Sequence, residues 1–289
     1  MNRLSNTSVK AGMAAPAWKK LLEISGPGVG GKATEKPVFI WQMGKVGSSA
    51  LAESVEKLGA YSVFHFHHTN ADTIQKVVRA KTDAGVEIPK DLRLSQMLLE
   101  IMSAIKSQRH EKIYVISAVR DPIARNVSAF FQNLNIFAPD VDISSGRDAH
   151  KVREIFMRTY SHAIPTGWFN RELLHTAGMN IYKTPFDHEK TVLRLSEAPF
   201  ELLVLRAEDA DSQKSAALNE LFDRSDIVLE KHNVSRKKKY ANLYSAFMDG
   251  LKFEDSFLSA QYDTPLCRHF YTDEELRAFR ERWASGSAS

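Results

Sequence analysis

The sequence predicts an α/β domain: a central parallel sheet flanked by helices, with a mostly helical second half. Three observations carry this. Short apolar bursts at residues 38–41, 61–66 and 112–118 are separated by helix-length segments, the pattern of βαβ units. Beyond Asn135 the apolar spacing is mostly helical. A 289-residue chain with 43% hydrophobic and 26% charged residues can bury a sizeable core, which excludes fibrous, collagen-like and disordered classes.

The elements follow in order. Residues 1–36 form a basic leader of small and polar residues with one amphipathic patch at 18–24, broken by Gly26-Pro-Gly-Val-Gly-Gly31, a flexible-linker composition. The domain is expected over residues 37–283. The burst at 38–41 leads through a glycine-containing turn into a helix at 49–58. A second burst, 61–66, precedes long helical segments through residue 108. The third, 112–118, runs into a helix opened by Pro122 and capped by Asp121. Helices are expected at 147–161 and 164–175. Apolar pieces at 179–182 and 200–205 each suit a further strand. Helices at 216–222, 236–247 and 272–283 complete the domain, the last opened by Thr272 with Glu275 three residues on. The small, polar tail 284–289 is expected to fray.

Net charge is +4, which invites a polyanion as partner, but its distribution argues otherwise. The leader holds six basic and two acidic side chains; the remaining 253 residues balance 33 of each. A neutral body argues against nucleic acid, whose non-specific affinity needs many clustered Lys and Arg contacts. Cys267 is the only cysteine, so no intrachain disulfide forms and a cysteine metal cluster is unsupported. No apolar run is long enough to span a membrane, and the leader lacks the apolar region of a secretory signal. These features lead us to expect a cytoplasmic location.

Two stretches have the look of a phosphate loop. Gly26 to Lys32 has the spacing G-x-x-x-x-G-K, but Ala33 stands where Ser or Thr is needed and no strand precedes it. Gln42-Met-Gly-Lys-Val-Gly-Ser-Ser49 directly follows a strand and precedes a helix. There Gly44 and Gly47 allow sharp turns, Ser48 and Ser49 bring hydroxyls to the helix start, and the helix dipole favours an anion. Lys45 adds a positive charge. The bland alternative is an ordinary turn with an N-cap serine. A nucleoside-triphosphate loop places its Lys after the last Gly; here the Lys comes first.

Lys45-Val46-Gly47-Ser48-Ser49 resembles the loop that holds the 5'-phosphosulfate in sulfotransferases using 3'-phosphoadenosine 5'-phosphosulfate (PAPS), in the form found in carbohydrate sulfotransferases. A second resemblance follows the third strand, in Arg120-Asp-Pro-Ile-Ala-Arg-Asn-Val-Ser128-Ala-Phe-Phe131. That family reads the donor's 3'-phosphate with the pattern R-x-P-x-x-R-x-x-S-x-x-F, and Arg120, Pro122, Arg125, Ser128 and Phe131 fill it. The resemblance implies a P-loop-like sulfotransferase fold with PAPS as co-substrate. It implies Lys45 at the leaving group, Val46, Gly47, Ser48 and Ser49 at the phosphosulfate, and Arg120 and Ser128 at the 3'-phosphate. Arg125 is equally suited to brace the loop.

Phe64-His-Phe-His-His-Thr69 ends the second strand with three histidines at the edge where ligands bind in open parallel sheets. Alternation puts His65 and His67 on one face, and histidine suits proton abstraction from an acceptor hydroxyl. The arrangement resembles that of glycosaminoglycan 2-O-sulfotransferases, whose second His is the base, implying His67 with His65 as alternate. Without carboxylate or cysteine companions nearby in sequence, zinc is disfavoured and no metal is expected.

Trp168-Phe-Asn-Arg-Glu-Leu173, Tyr182-Lys-Thr-Pro-Phe-Asp187 and Leu203-Val-Leu-Arg-Ala-Glu-Asp209 resemble a bacterial sulfotransferase-like family labelled putative capsular polysaccharide synthesis proteins. Glu208 and Asp209 are placed to brace Arg120 or Arg125. Lys237, in a basic run from Lys231, is expected to help close the donor site. The expected partner is a carbohydrate or other hydroxyl acceptor. Two readings compete: a nucleotide-dependent kinase, and a catalytically degenerate sulfotransferase fold serving as a glycan-binding or assembly module.

Overall fold

The computed structural model describes residues 17–22, 36–107, 112–229 and 240–284. Its centre is a five-stranded sheet of order β2-β1-β3-β5-β4, with β1 Pro37–Trp41, β2 Ser62–Phe66, β3 Ile113–Val119, β4 Leu193–Glu197 and β5 Phe200–Arg206. β2, β1, β3 and β5 run parallel, aligned so that Phe39 faces Phe64 on one side and Val115 on the other. β1 is buried at all five positions and β5 at all but Glu201, as continuous apolar strands covered on both faces must be.

Helices connect the strands: α1 Ser48–Glu56, α2 Ala71–Asp83, α3 Lys90–Ser107 and α4 Pro122–Gln132. The second half adds α5 Leu134–Phe137, α6 Ala149–Thr159 and α7 Ile164–Phe169, which continues as a π-helix over Asn170–Ala177. There follow α8 Asp211–Phe222, α9 Ala241–Asp249, α10 Asp255–Tyr262, α11 Pro265–Phe270 and α12 Asp273–Trp283. The predicted α/β class with a mostly helical second half is therefore observed.

Two strand expectations change. Residues 179–182 form no strand: Asn180 accepts from the Tyr182 N–H at 3.1 Å and starts a 3-10 turn at Ile181–Lys183. The edge strand is instead β4, which pairs antiparallel with β5 across the two-residue turn Ala198-Pro199. Its LRLSE sequence is half polar because an edge strand faces solvent.

The expected caps are present. Asp121 accepts from the Ile123 N–H at 2.9 Å, and Thr272 and Glu275 form a reciprocal capping box. Asp121 also accepts from the Tyr262 hydroxyl and the Trp283 indole N–H, both at 2.9 Å, fastening α10 and α12 to the end of β3. Within the stretch read as leader, a 3-10 turn at Ala17–Leu21 buries Trp18 against Phe64, their rings 6.3 Å apart, and packs on α3. The rest of the leader, the tail beyond Ala284 and Lys237 lie outside the described residues.

The chain runs from β1 to β2 on one side and returns to β3 on the other, so it changes direction between β1 and β3. Ligands of open α/β sheets bind in the crevice outside the strand ends at such a point.

Candidate active site

The crevice is filled by the β1–α1 loop, residues 42–47. Lys45 and Gly47 both adopt left-handed backbone, with φ of 76° and 84°. A Cβ at Gly47 would meet open space, so the glycine is required by its torsion and not by crowding. Gly47 is also the N-cap of α1 and supplies no side-chain cap, leaving first-turn N–H groups available to an external acceptor. Ser48 is buried, Ser49 exposed, and Val46 buried beneath the loop.

Two guanidiniums hold this backbone. Arg120 Nη1 donates to the Lys45 carbonyl at 2.9 Å, and Arg125 Nε donates to the Gly44 carbonyl at 3.0 Å. Arg125 is buried and also donates to the Tyr160 hydroxyl at 2.9 Å and the Asn126 amide oxygen at 3.2 Å. Among the described residues all its acceptors are neutral, and burial holds its pKa below the ordinary arginine value. Arg125 is thus the loop brace that the sequence left open. Ser128 lies two turns along α4, half-buried, with no hydrogen bond among the described residues. The structure brings Arg120 to the loop.

Beside the loop, toward β3 and β5, is a cavity of about 130 Å³ lined by Val46, Gly47, Leu51, Ala118, Leu205 and Lys214, among others. Lys214 is tied to Asp211 at 2.9 Å. Glu208 and Asp209 do not brace Arg120 or Arg125. Glu208 accepts from the Asp121 N–H at 2.8 Å and the Tyr271 hydroxyl at 3.0 Å, while Asp209 pairs with Arg206, one strand away from the expected partners.

On the other side of the loop stand the histidines. His65 and His67 share a face, with ring centroids 5.1 Å apart. His67 Nδ1 lies 2.9 Å from the Gln42 carbonyl, which only accepts, so this nitrogen carries the proton and Nε2 keeps its lone pair. Nε2 lies over the loop: a Cβ added to Gly44 would stand 3.6 Å from it. The side chain retains 23% exposure. Burial, then the neighbouring His65 and His68, push its pKa down to about 3 against the opposing Gln42 hydrogen bond, so the ring is neutral at pH 7. His65 is shifted the same way by burial.

The segment after β2 is held from α7 and the π-helix. Trp168 Nε1 donates to the His67 carbonyl at 3.0 Å. Glu172, fully buried, accepts from the Thr69 N–H at 2.6 Å, the Asn70 N–H at 2.9 Å and the Thr69 hydroxyl at 3.2 Å, and faces His68. Sequence reasoning singled out this Trp-x-x-x-Glu segment without a role. Its burial and its backbone partners at Thr69 and Asn70 are tertiary facts that no local sequence signal carries.

Residues 140–272 match a family model. Its description is "putative capsular polysaccharide synthesis protein". The matched region contains Trp168, Glu172 and Arg206; the loop, the histidines and Arg120 precede it. No curated protein and no solved structure matches the chain. Among the described residues no helix is long and apolar enough to cross a membrane, and no three His, Cys, Asp or Glu side chains gather to hold a metal ion.

Chemically, the arrangement offers a cationic loop for an anion, a cavity on one flank and a neutral imidazole with a free Nε2 on the other. That suits group transfer between an anionic donor and a proton-bearing acceptor.

Proposed function

We propose that the protein is a sulfotransferase that moves a sulfuryl group from PAPS to a hydroxyl, the acceptor being a carbohydrate. One observation carries the reading: Arg120 and Arg125 converge on consecutive carbonyls of the 42–47 loop, and among the described residues neither meets a carboxylate. Uncompensated positive charge beside an uncapped helix start calls for an anion from outside. The carbohydrate acceptor is supported by the capsular polysaccharide description of the family model matching residues 140–272.

In this reading the donor's phosphosulfate lies on Val46–Ser49, its nucleoside enters the cavity beside Val46 and Leu51, and Arg120 and Ser128 serve its 3'-phosphate. Lys237 is proposed to close over it. The acceptor oxygen bonds to sulfur as its proton passes to His67 Nε2. The bond from sulfur to the bridging oxygen breaks, leaving its electron pair on the departing bisphosphate, with Lys45 stabilising that charge. Catalysis here is mostly positioning and neutralisation of the leaving group.

The test is transfer of labelled sulfate from PAPS into a panel of polysaccharides and small alcohols, run beside γ-labelled ATP with magnesium. Sulfate incorporation that disappears in Lys45→Ala supports the proposal. Magnesium-dependent phosphate incorporation, without sulfate transfer, would replace it with a kinase.

A further inference from the structure

Asp91 lies in the first turn of α3, and no sequence motif marks it. Its Oδ2 stands 3.7 Å from His67 Nε2, and the carboxylate is about one-third exposed. With Nδ1 committed to the Gln42 carbonyl, Nε2 is the nitrogen that gains a proton, so this proton would arrive beside the carboxylate. Two lone-pair groups facing each other have little reason to associate in the resting state. Once the imidazole is protonated, the contact becomes an ion pair.

Resting on the sulfotransferase reading, we propose that Asp91 is the positioning partner of His67, stabilising the imidazolium that forms when Nε2 takes the acceptor's proton. The acceptor O–H bond breaks toward Nε2, its oxygen pair bonds to sulfur, the bond to the bridging oxygen breaks with its pair leaving on the bisphosphate, and the proton later passes to water.

The surroundings explain why a partner is needed. From β2 and the turn after it, His65 and His68 face His67, and from α4 comes Arg125; each disfavours a second positive charge. His68 is itself directed to Glu172. Asp91 is the acidic group that reaches His67, and it acts on His65 in the same sense. An opposite charge within about 4–6 Å favours the protonated form, so Asp91 opposes part of what burial and the neighbouring groups take from His67 as a base. His67, Gln42 and Asp91 thus tie the turn after β2, the β1–α1 loop and α3 into one proton-accepting unit.

The test is NMR titration of His67 in the full-length protein and in Asp91→Asn, which needs no acceptor. The expected result is a His67 pKa lower by about one unit or more in Asp91→Asn and largely retained in Asp91→Glu. Labelled-sulfate transfer should lose kcat in Asp91→Asn with the donor KM unchanged, and the lost rate should return in part in Asp91→Glu. A His67 that titrates alike in wild type and Asp91→Asn overturns the pairing. Failure to bind 3'-phosphoadenosine 5'-phosphate would instead sink the sulfotransferase reading and leave the titration result standing.

Discussion

Glu172 offers the most direct way to perturb the site from outside it. Its buried carboxylate accepts from the backbone N–H groups of Thr69 and Asn70 and from the Thr69 hydroxyl, holding the turn that follows His67 and His68. Glu172→Ala leaves the buried Thr69 N–H and the part-buried Asn70 N–H without this partner. Each orphaned donor costs about 1–3 kcal/mol, and relief from removing a desolvated carboxylate offsets part of the sum, so the net loss is about 3 kcal/mol. For a domain of this size that corresponds to a melting temperature lower by roughly 6–12 °C. Glu172→Gln keeps one acceptor oxygen and should lose about 1 kcal/mol. Differential scanning calorimetry on the three proteins reads the effect. An Ala variant melting within about 2 °C of wild type, or a Gln variant melting as low as Ala, refutes the role given to Glu172.

Further predictions follow from the same geometry. His67→Ala should bind 3'-phosphoadenosine 5'-phosphate as wild type does by calorimetry while turnover drops about 10²- to 10⁴-fold, the usual contribution of a general base; full turnover would remove His67 from the chemistry. Because the folded pKa of His67 is depressed to about 3 while the unfolded ring has its ordinary value of 6.5, the unfolded chain binds the extra proton first. Stability should therefore fall as pH drops through that window, and His67→Gln should flatten the slope in urea titrations; an unchanged slope contradicts the burial argument. Gly47→Ala forces a Cβ onto a residue at φ 84° with no neighbour to clash, so denaturant unfolding should show a loss of about 1–2 kcal/mol from the backbone alone.

Much of this architecture was legible in the chain because local patterns determine it. Apolar bursts marked the four parallel strands: β1, β3 and β5 are covered on both faces and need near-continuous hydrophobicity, while β2 at the edge alternates. The loop at 42–49 was placed by its position between a strand and a helix, and alternation put His65 and His67 on one face. The edge strand β4 was missed because half of its residues face solvent, and residues 179–182 were mistaken for a strand because an apolar run of four suits either element. Trp168 and Glu172 reach the site across 101 and 103 positions and Asp91 from another helix, and their roles depend on packing no sequence window contains. The same is true of Glu208 and Asp209, whose partners turned out to be Asp121, Tyr271 and Arg206. The leader's charge was read from composition, while Trp18 reaches the core by a tertiary contact with Phe64.

The central claim is that the cationic loop and its flanking cavity bind a nucleotide carrying a 3'-phosphate. Isothermal titration of the full-length protein with 3'-phosphoadenosine 5'-phosphate and with AMP tests it most directly, because the two ligands differ only in that group. The account predicts that the bisphosphate binds at least about tenfold tighter, a difference of about 1.4 kcal/mol, and that Arg120→Ala removes the preference. Equal affinity for the two ligands, or binding of neither, would contradict it.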